Sequence, residues 1–171
     1  MEIQVLGPLS AHVNGMSIVP TAGKPRQILA LLAFYPGRVM PVPTLMEEIW
    51  SGEPPASAGT TLQSYIYQLR CALGRDSITT RPGGYLLPVG EGDLDLLQFR
   101  SKVGRGQQLL ELGQADAALD ELRAGMKLWR AHPHSNVRVG EALELEVQHL
   151  AEERRRASEL LIEAAFLAGR H

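Results

Sequence analysis

Thr60, Gln63, Ser64, Tyr67 and Gln68 crowd one short stretch of the chain, and each ends in a hydroxyl or a carboxamide. At about 100° per residue, Thr60, Ser64, Tyr67, Gln68 and Cys71 fall on one side of a helix, with Gln63 and Arg70 on a flank. Hydroxyls and carboxamides both donate and accept hydrogen bonds. The chemistry on offer is recognition of another polar surface.

Bond-making chemistry finds no comparable set. Gly104-Arg-Gly106 lies inside a helical pattern and lacks the strand–loop–helix setting of a phosphate loop. No Ser/His/Asp or Cys/His set has a plausible setting, and no carboxylate pair has an obvious cleft. His132 and His134 flank a proline without cysteine or acidic neighbours, so no metal site is expected. The chain reads as a non-enzyme without a cofactor.

The elements that must position the polar face follow from spacing. Ile3 and Val5 start an alternating pattern, and Asn14-Gly15 is the preferred pair for a type I′ turn, so a hairpin opens the chain. Pro25 suits a helix start, Ile28 to Phe34 fill the helix, and Pro36-Gly37 stop it. Thr44 and Glu47 have capping-box spacing for a short second helix ending at Trp50. A third helix is expected from Ser57 to Leu73. Leu62, Ile66, Leu69 and Leu73 form its buried stripe, and Gly74 follows as a stop. The β-branched run at 77–81, the turn Pro82-Gly83-Gly84 and Tyr85 to Val89 read as a hairpin with Arg81 and Tyr85 at its tip. Strands, three helices and a closing hairpin make a winged helix.

Gly90 to Asp93 is the expected linker, dividing the chain into 1–93 and 94–171. Beyond it the pattern is helical. Asp95 and Gln98 have capping spacing. Ala115, Ala118, Leu119, Leu122, Met126 and Trp129 share a face. Leu143, Val147, Leu150, Ala157, Leu161 and Ala164 mark a long helix. Arg154, Arg155 and Arg156 are expected on a solvated face, paired with Glu152, Glu153 and Glu159. Leu167 to His171 reads as a turn toward a further helix. The fold class is therefore mainly α with small β elements: a winged helix-turn-helix, then an all-α domain of helical hairpins.

Bulk properties set the remaining bounds. The 171 residues suffice for two small domains. One cysteine excludes an internal disulfide. No apolar run spans a membrane, and the first residues lack a secretory pattern, so a cytoplasmic address is expected. A net charge of −2 argues mildly against a nucleic-acid binder. From 57 to 86, however, the charged residues are Arg70, Arg75, Arg81 and the single acid Asp76.

Five stretches together carry a family resemblance: Ile28 to Ala33, Val39 to Trp50, Thr61 to Arg70, Thr80 to Leu86 and Lys127 to Arg130. Residues 3–89 resemble the OmpR-type winged helix. Residues 94–171 resemble the first part of the bacterial transcriptional activation domain, built of tetratricopeptide-like hairpins. The whole is similar to the Streptomyces antibiotic regulatory protein family.

That resemblance implies a sequence-specific transcriptional activator of a secondary-metabolite gene cluster. It would bind direct repeats near the −35 region as two protomers and recruit RNA polymerase through its sigma factor, in the bacterial nucleoid. The third helix would enter the major groove, where base edges present distinguishable donor and acceptor patterns. Gln68, Gln63, Ser64 and Thr60 would read bases, while Tyr67 and Arg70 would reach phosphates. Trp50 would donate its indole N–H to a phosphate. Arg81 would enter the minor groove. Tyr85 would brace the wing or donate to phosphate, and Lys24 and Arg26 are further phosphate candidates. Related recognition helices usually carry basic residues where this chain has Gln68 and Cys71, so a shallow salt dependence is expected. Two other readings stand beside this one: an interaction scaffold with a DNA-inactive winged helix, and the N-terminal part of a larger regulator.

Overall fold

The computed structural model describes residues 1–18 and 23–169. Arg170 and His171, in the expected terminal turn, lie outside the described residues. The first three strands are β1 (Glu2–Gln4), β2 (Ser10–Val13) and β3 (Met16–Ser17). They form an antiparallel sheet in chain order, with Ile3 opposite Ala11 and Val13 opposite Met16. Asn14 and Gly15 between β2 and β3 have φ of 51° and 78°, the left-handed pair that a type I′ turn needs.

α1 (Gly23–Phe34) is buried along most of its length, and every residue from Gln27 to Phe34 is buried. A helix apolar on every side belongs at the centre of a core. β4 (Met40–Pro41) leads directly into α2 (Val42–Trp50). α2 starts two residues before Thr44, with Pro41 at its N-cap and no side-chain cap. The expected Thr44–Glu47 capping box is therefore not formed. Proline already restricts the backbone around Val42, so the helix begins without the threonine.

α3 (Ala58–Leu73) buries Leu62, Ile66, Leu69 and Leu73, the stripe expected from spacing. It packs on α1 and β2. β5 (Thr79–Arg81) and β6 (Gly84–Leu86) form the wing, with β4 completing the order β4-β6-β5. Gly84 is required there. A Cβ at that position would lie 2.1 Å from the Met40 carbonyl oxygen, because β4 crosses close beside it.

A 3-10 turn at Glu91–Asp93 occupies the expected linker, and the Asp93 carboxylate accepts the Gly90 N–H at 2.9 Å. Three helices follow: α4 (Asp95–Glu111), α5 (Ala115–Met126) and α6 (Glu141–Leu167). α5 packs between α4 and α6, burying Ala118, Leu119, Leu122 and Ala164 in a small cluster. The larger core runs without a break from Ile3 and α1 through Leu94, Leu96 and Phe99 to Leu143, Leu150 and Ala157. The halves thus share one apolar interior.

Polar contacts join the same halves. Asp95 is 5% exposed, and its carboxylate accepts the N–H groups of Val5 (2.8 Å) and Leu6 (3.0 Å). The expected Asp95–Gln98 cap is not formed, since Leu94 is the N-cap and has no side-chain cap bond. The carboxylate reaches across to the N-terminal strand region instead. Glu48 of α2, 3% exposed, accepts the N–H groups of Gly140 (2.7 Å) and Ala142 (2.9 Å) at the start of α6. Those donors have no partner within their own helix, and a carboxylate there also meets the positive end of the helix dipole. Asn136 exchanges two hydrogen bonds with Leu9, at 2.7 and 3.0 Å.

Candidate nucleic-acid interface

α3 turns its polar face away from these contacts. Thr60, Gln63, Ser64, Tyr67 and Gln68 are all exposed, and Tyr67 retains 69% of its accessible surface. The cause lies in the stripe opposite: Leu62, Ile66 and Leu69 fix the rotation of the helix against α1. The face carries no charge. Interaction with the Cys71 side chain, one turn further along the helix, holds the Tyr67 phenol pKa above its ordinary value.

The wing stands beside the end of α3. Arg81 is exposed and occupies the last paired position of β5, opposite Gly84. Pro82 and Gly83 make the turn, with Gly83 at φ 80°, the value a type II turn requires at its third residue. Tyr85 takes a different place from the expected tip. It pairs with Thr80 and Met40, is 9% exposed, and belongs to the core cluster. Its strand is the central one of the β4-β6-β5 sheet, paired on both sides, and its side chain packs into the core. Of its two expected roles, the geometry provides the brace.

Arg70 is also placed differently from the expected phosphate contact. Its Nε and Nη2 donate to the Ile78 carbonyl oxygen at 2.9 and 2.7 Å, and Nη2 donates to Thr80 Oγ1 at 2.9 Å. The guanidinium is spent on the wing. Sequence spacing placed Arg70 on the flank of α3 but could not show that β5 would arrive beside it.

Trp50, at the end of α2, is half-buried. Its ring stacks on Tyr65 at 6.5 Å, and the Lys24 ammonium sits 4.9 Å from its centroid. Lys24 and Trp50 therefore form one cationic–aromatic corner. Arg26 is elsewhere: its Nη1 donates to the Asn136 carbonyl oxygen at 3.1 Å, toward the helical half.

The remaining sequence candidates are structural. Trp129 meets Phe99 edge to face at 5.4 Å and lies beneath Arg154, whose guanidinium is 4.5 Å from its centroid. Arg155 pairs with Glu152 and Glu159 as expected from spacing, whereas Glu153 pairs with Arg100 of α4 at 2.7 Å. No described helix is long and apolar enough to cross a membrane.

The arrangement is an uncharged hydrogen-bonding helix face, flanked by an arginine-tipped ribbon and a lysine–tryptophan corner. A polar helix face of this kind fits a major groove, and cations at its margins fit phosphates or a minor groove.

Comparisons with known proteins agree with the two-part pattern. Residues 17–87 match the family described as transcriptional regulatory protein, C terminal. Residues 94–171 match the bacterial transcriptional activator domain. Regulatory protein DnrI of Streptomyces peucetius is 42% identical over 182 residues, covering 100% of this chain and 67% of that protein. Transcriptional regulator RedD of Streptomyces coelicolor is 30% identical over 177 residues, covering 99% of this chain and 50% of that protein. A solved structure of Mycobacterium tuberculosis EmbR in complex with a low affinity phosphopeptide superposes with a TM-score of 0.91 at 28% identity. It matches 99% of this chain and 46% of that one. The chain thus spans about two thirds of the first relative and half of the second.

Proposed function

Because the chain belongs to the Streptomyces antibiotic regulatory protein family, we propose that it is a sequence-specific activator of a secondary-metabolite gene cluster. Its family is one of DNA-binding transcriptional regulators, a non-enzymatic role. The finer reading is that two copies bind direct repeats near a −35 region and hold RNA polymerase holoenzyme through its sigma factor, in the nucleoid. Residues 1–93 serve as the DNA-reading unit and 94–171 as the partner-binding unit.

One observation carries this reading: the Thr60–Gln68 face is exposed and stands beside the wing that carries Arg81. Gln68, Gln63, Ser64 and Thr60 read base edges. Tyr67, Lys24 and Trp50 serve the phosphate backbone, and Arg81 enters the minor groove. Activation is recruitment. Favourable contacts from the helical half raise polymerase occupancy at a promoter that the winged helix has selected.

Gel-shift titration tests it, with duplexes selected by the chain from a random-sequence library and then with the promoters of a neighbouring gene cluster. The expected result is retardation of direct-repeat DNA, with protection of both repeats in a footprint. Absence of retardation at low salt would leave the scaffold reading in its place.

A further inference from the structure

The wing is a small structure with a demanding position. β5 and β6 have three residues each, and β5 is the outer strand of the β4-β6-β5 sheet. An edge strand presents backbone groups without a neighbouring strand, and so short a ribbon has little stiffness of its own. Yet a minor-groove contact from Arg81 is useful only if it forms while α3 occupies the adjacent major groove.

Arg70 supplies a rigid link between the two. Its fork converges on one carbonyl oxygen just before β5, that of Ile78, at 2.9 and 2.7 Å, and on the hydroxyl of Thr80 inside β5. Ile78 is itself 1% exposed and belongs to the core, so the carbonyl is held from both sides. Thr80 directly precedes Arg81. Charge-assisted bonds from a planar guanidinium fix direction as well as distance.

We propose that Arg70 is a positioning residue for DNA recognition: it locks the wing to the C-terminal turn of α3, so that Arg81 and the Thr60–Gln68 face engage one duplex together. This rests on the DNA-binding reading above. Arg70 acts through Arg81, with two of its three guanidinium nitrogens committed to the wing.

Lysine keeps the charge of Arg70 but cannot reproduce the fork, so Arg70→Lys separates a latch from a phosphate contact. The probe is a duplex selected by the wild-type chain from a random-sequence library. Arg81→Ala should weaken binding about tenfold in the wild-type background, the scale of a charge-assisted contact. Arg70→Lys should cost about as much. The double variant should be no weaker than Arg70→Lys within about twofold, because the contact made by Arg81 is already lost. Thr80→Val, which removes one acceptor and leaves both charges, should shift affinity in the same direction by a smaller factor and show the same coupling to Arg81. Wild-type affinity in Arg70→Lys, or losses that multiply in the double variant, would overturn the proposal.

Hydrogen exchange on the free protein decides the latch without DNA. Amides of residues 79–86 should exchange at least about tenfold faster in Arg70→Lys while those of α1 stay protected. Unchanged wing exchange overturns the latch even if DNA binding is confirmed. Faster exchange with no duplex selected by the wild type would leave the latch in place and sink its DNA role.

Discussion

Glu48 and Gly140 meet through a 2.7 Å hydrogen bond from backbone N–H to carboxylate, and a Cβ on Gly140 would lie 2.6 Å from the Glu48 Cδ. The contact ties α2 to the first turn of α6, the longest helix among the described residues. It binds the two halves of the chain at a point far in sequence from their junction.

Removing that carboxylate strands amide donors at the start of α6. Glu48→Ala should destabilise the chain by about 3 kcal/mol, the range for a hydrogen-bonded charged group inside a protein. Gly140→Ala should also destabilise, by displacing Glu48. Urea unfolding of the two single variants and the double should show losses that do not add. Full additivity would mean that the two residues act separately.

The wing makes a similar steric demand. Gly84→Ala places a methyl group 2.1 Å from the Met40 carbonyl oxygen, so β4 and β6 must part. We expect a loss of about 2–3 kcal/mol, as for other insertions into packed sites. Binding should weaken for every DNA sequence, since the wing contributes little sequence information. A variant with wild-type melting temperature would show that β4 can move aside freely.

Asp95 gives the stability a pH dependence. Burial raises its pKa above the ordinary 3.8, although the N–H groups of Val5 and Leu6 and the charge of Arg130 pull it back. Above 3.8 the folded form therefore still holds a proton that the unfolded chain has released. The contribution of Asp95 falls as pH rises from there and levels off once the folded carboxyl has ionised. The slope cannot exceed about 1.4 kcal/mol per pH unit for one proton. Asp95→Asn does not titrate, so the margin of the wild type over it should shrink with rising pH across that window. A margin that grows instead would mean that the hydrogen bonds outweigh desolvation.

Base reading is separable from backbone binding. Gln68→Ala should cost on the order of 1–3 kcal/mol on the preferred duplex and little on random DNA. Equal loss on both would remove Gln68 from the reading set. Because Thr60 to Gln68 carries no charge, the slope of affinity against salt should be shallow for a winged helix. A steep slope would point to phosphate contacts beyond Tyr67, Lys24 and Trp50.

Much of the winged helix was legible because its signals are local. The Leu62–Leu73 stripe set the rotation of α3, and Asn14-Gly15 set the first hairpin. The misplaced assignments share a cause. Asp95 and Glu47 have spacings that suit a cap, but capping depends on where the helix starts, and proline moved the start of α2. Arg70 and Asp95 reach partners on other elements, as does Glu48, which the sequence reading did not single out. For Glu48 and Asp95 those partners lie about ninety positions away. Periodicity places a side chain on a face; it carries no information about the atom that will come to meet it. Tyr85 shows the limit on a smaller scale, because its burial depends on β4 pairing beside β6, which the hairpin signal alone does not contain.

The clamp on Val5 and Leu6 has a consequence for biosynthesis. Those amides are synthesised ahead of their acceptor: the carboxylate that receives them is made about ninety residues later, and the Asn136 amide that holds Leu9 later still. The segment from Val5 to Leu9 must therefore wait, unsealed, until Asp95 and Asn136 have been translated. Termination between Leu9 and Asp95 would leave the Val5 and Leu6 amides without this acceptor.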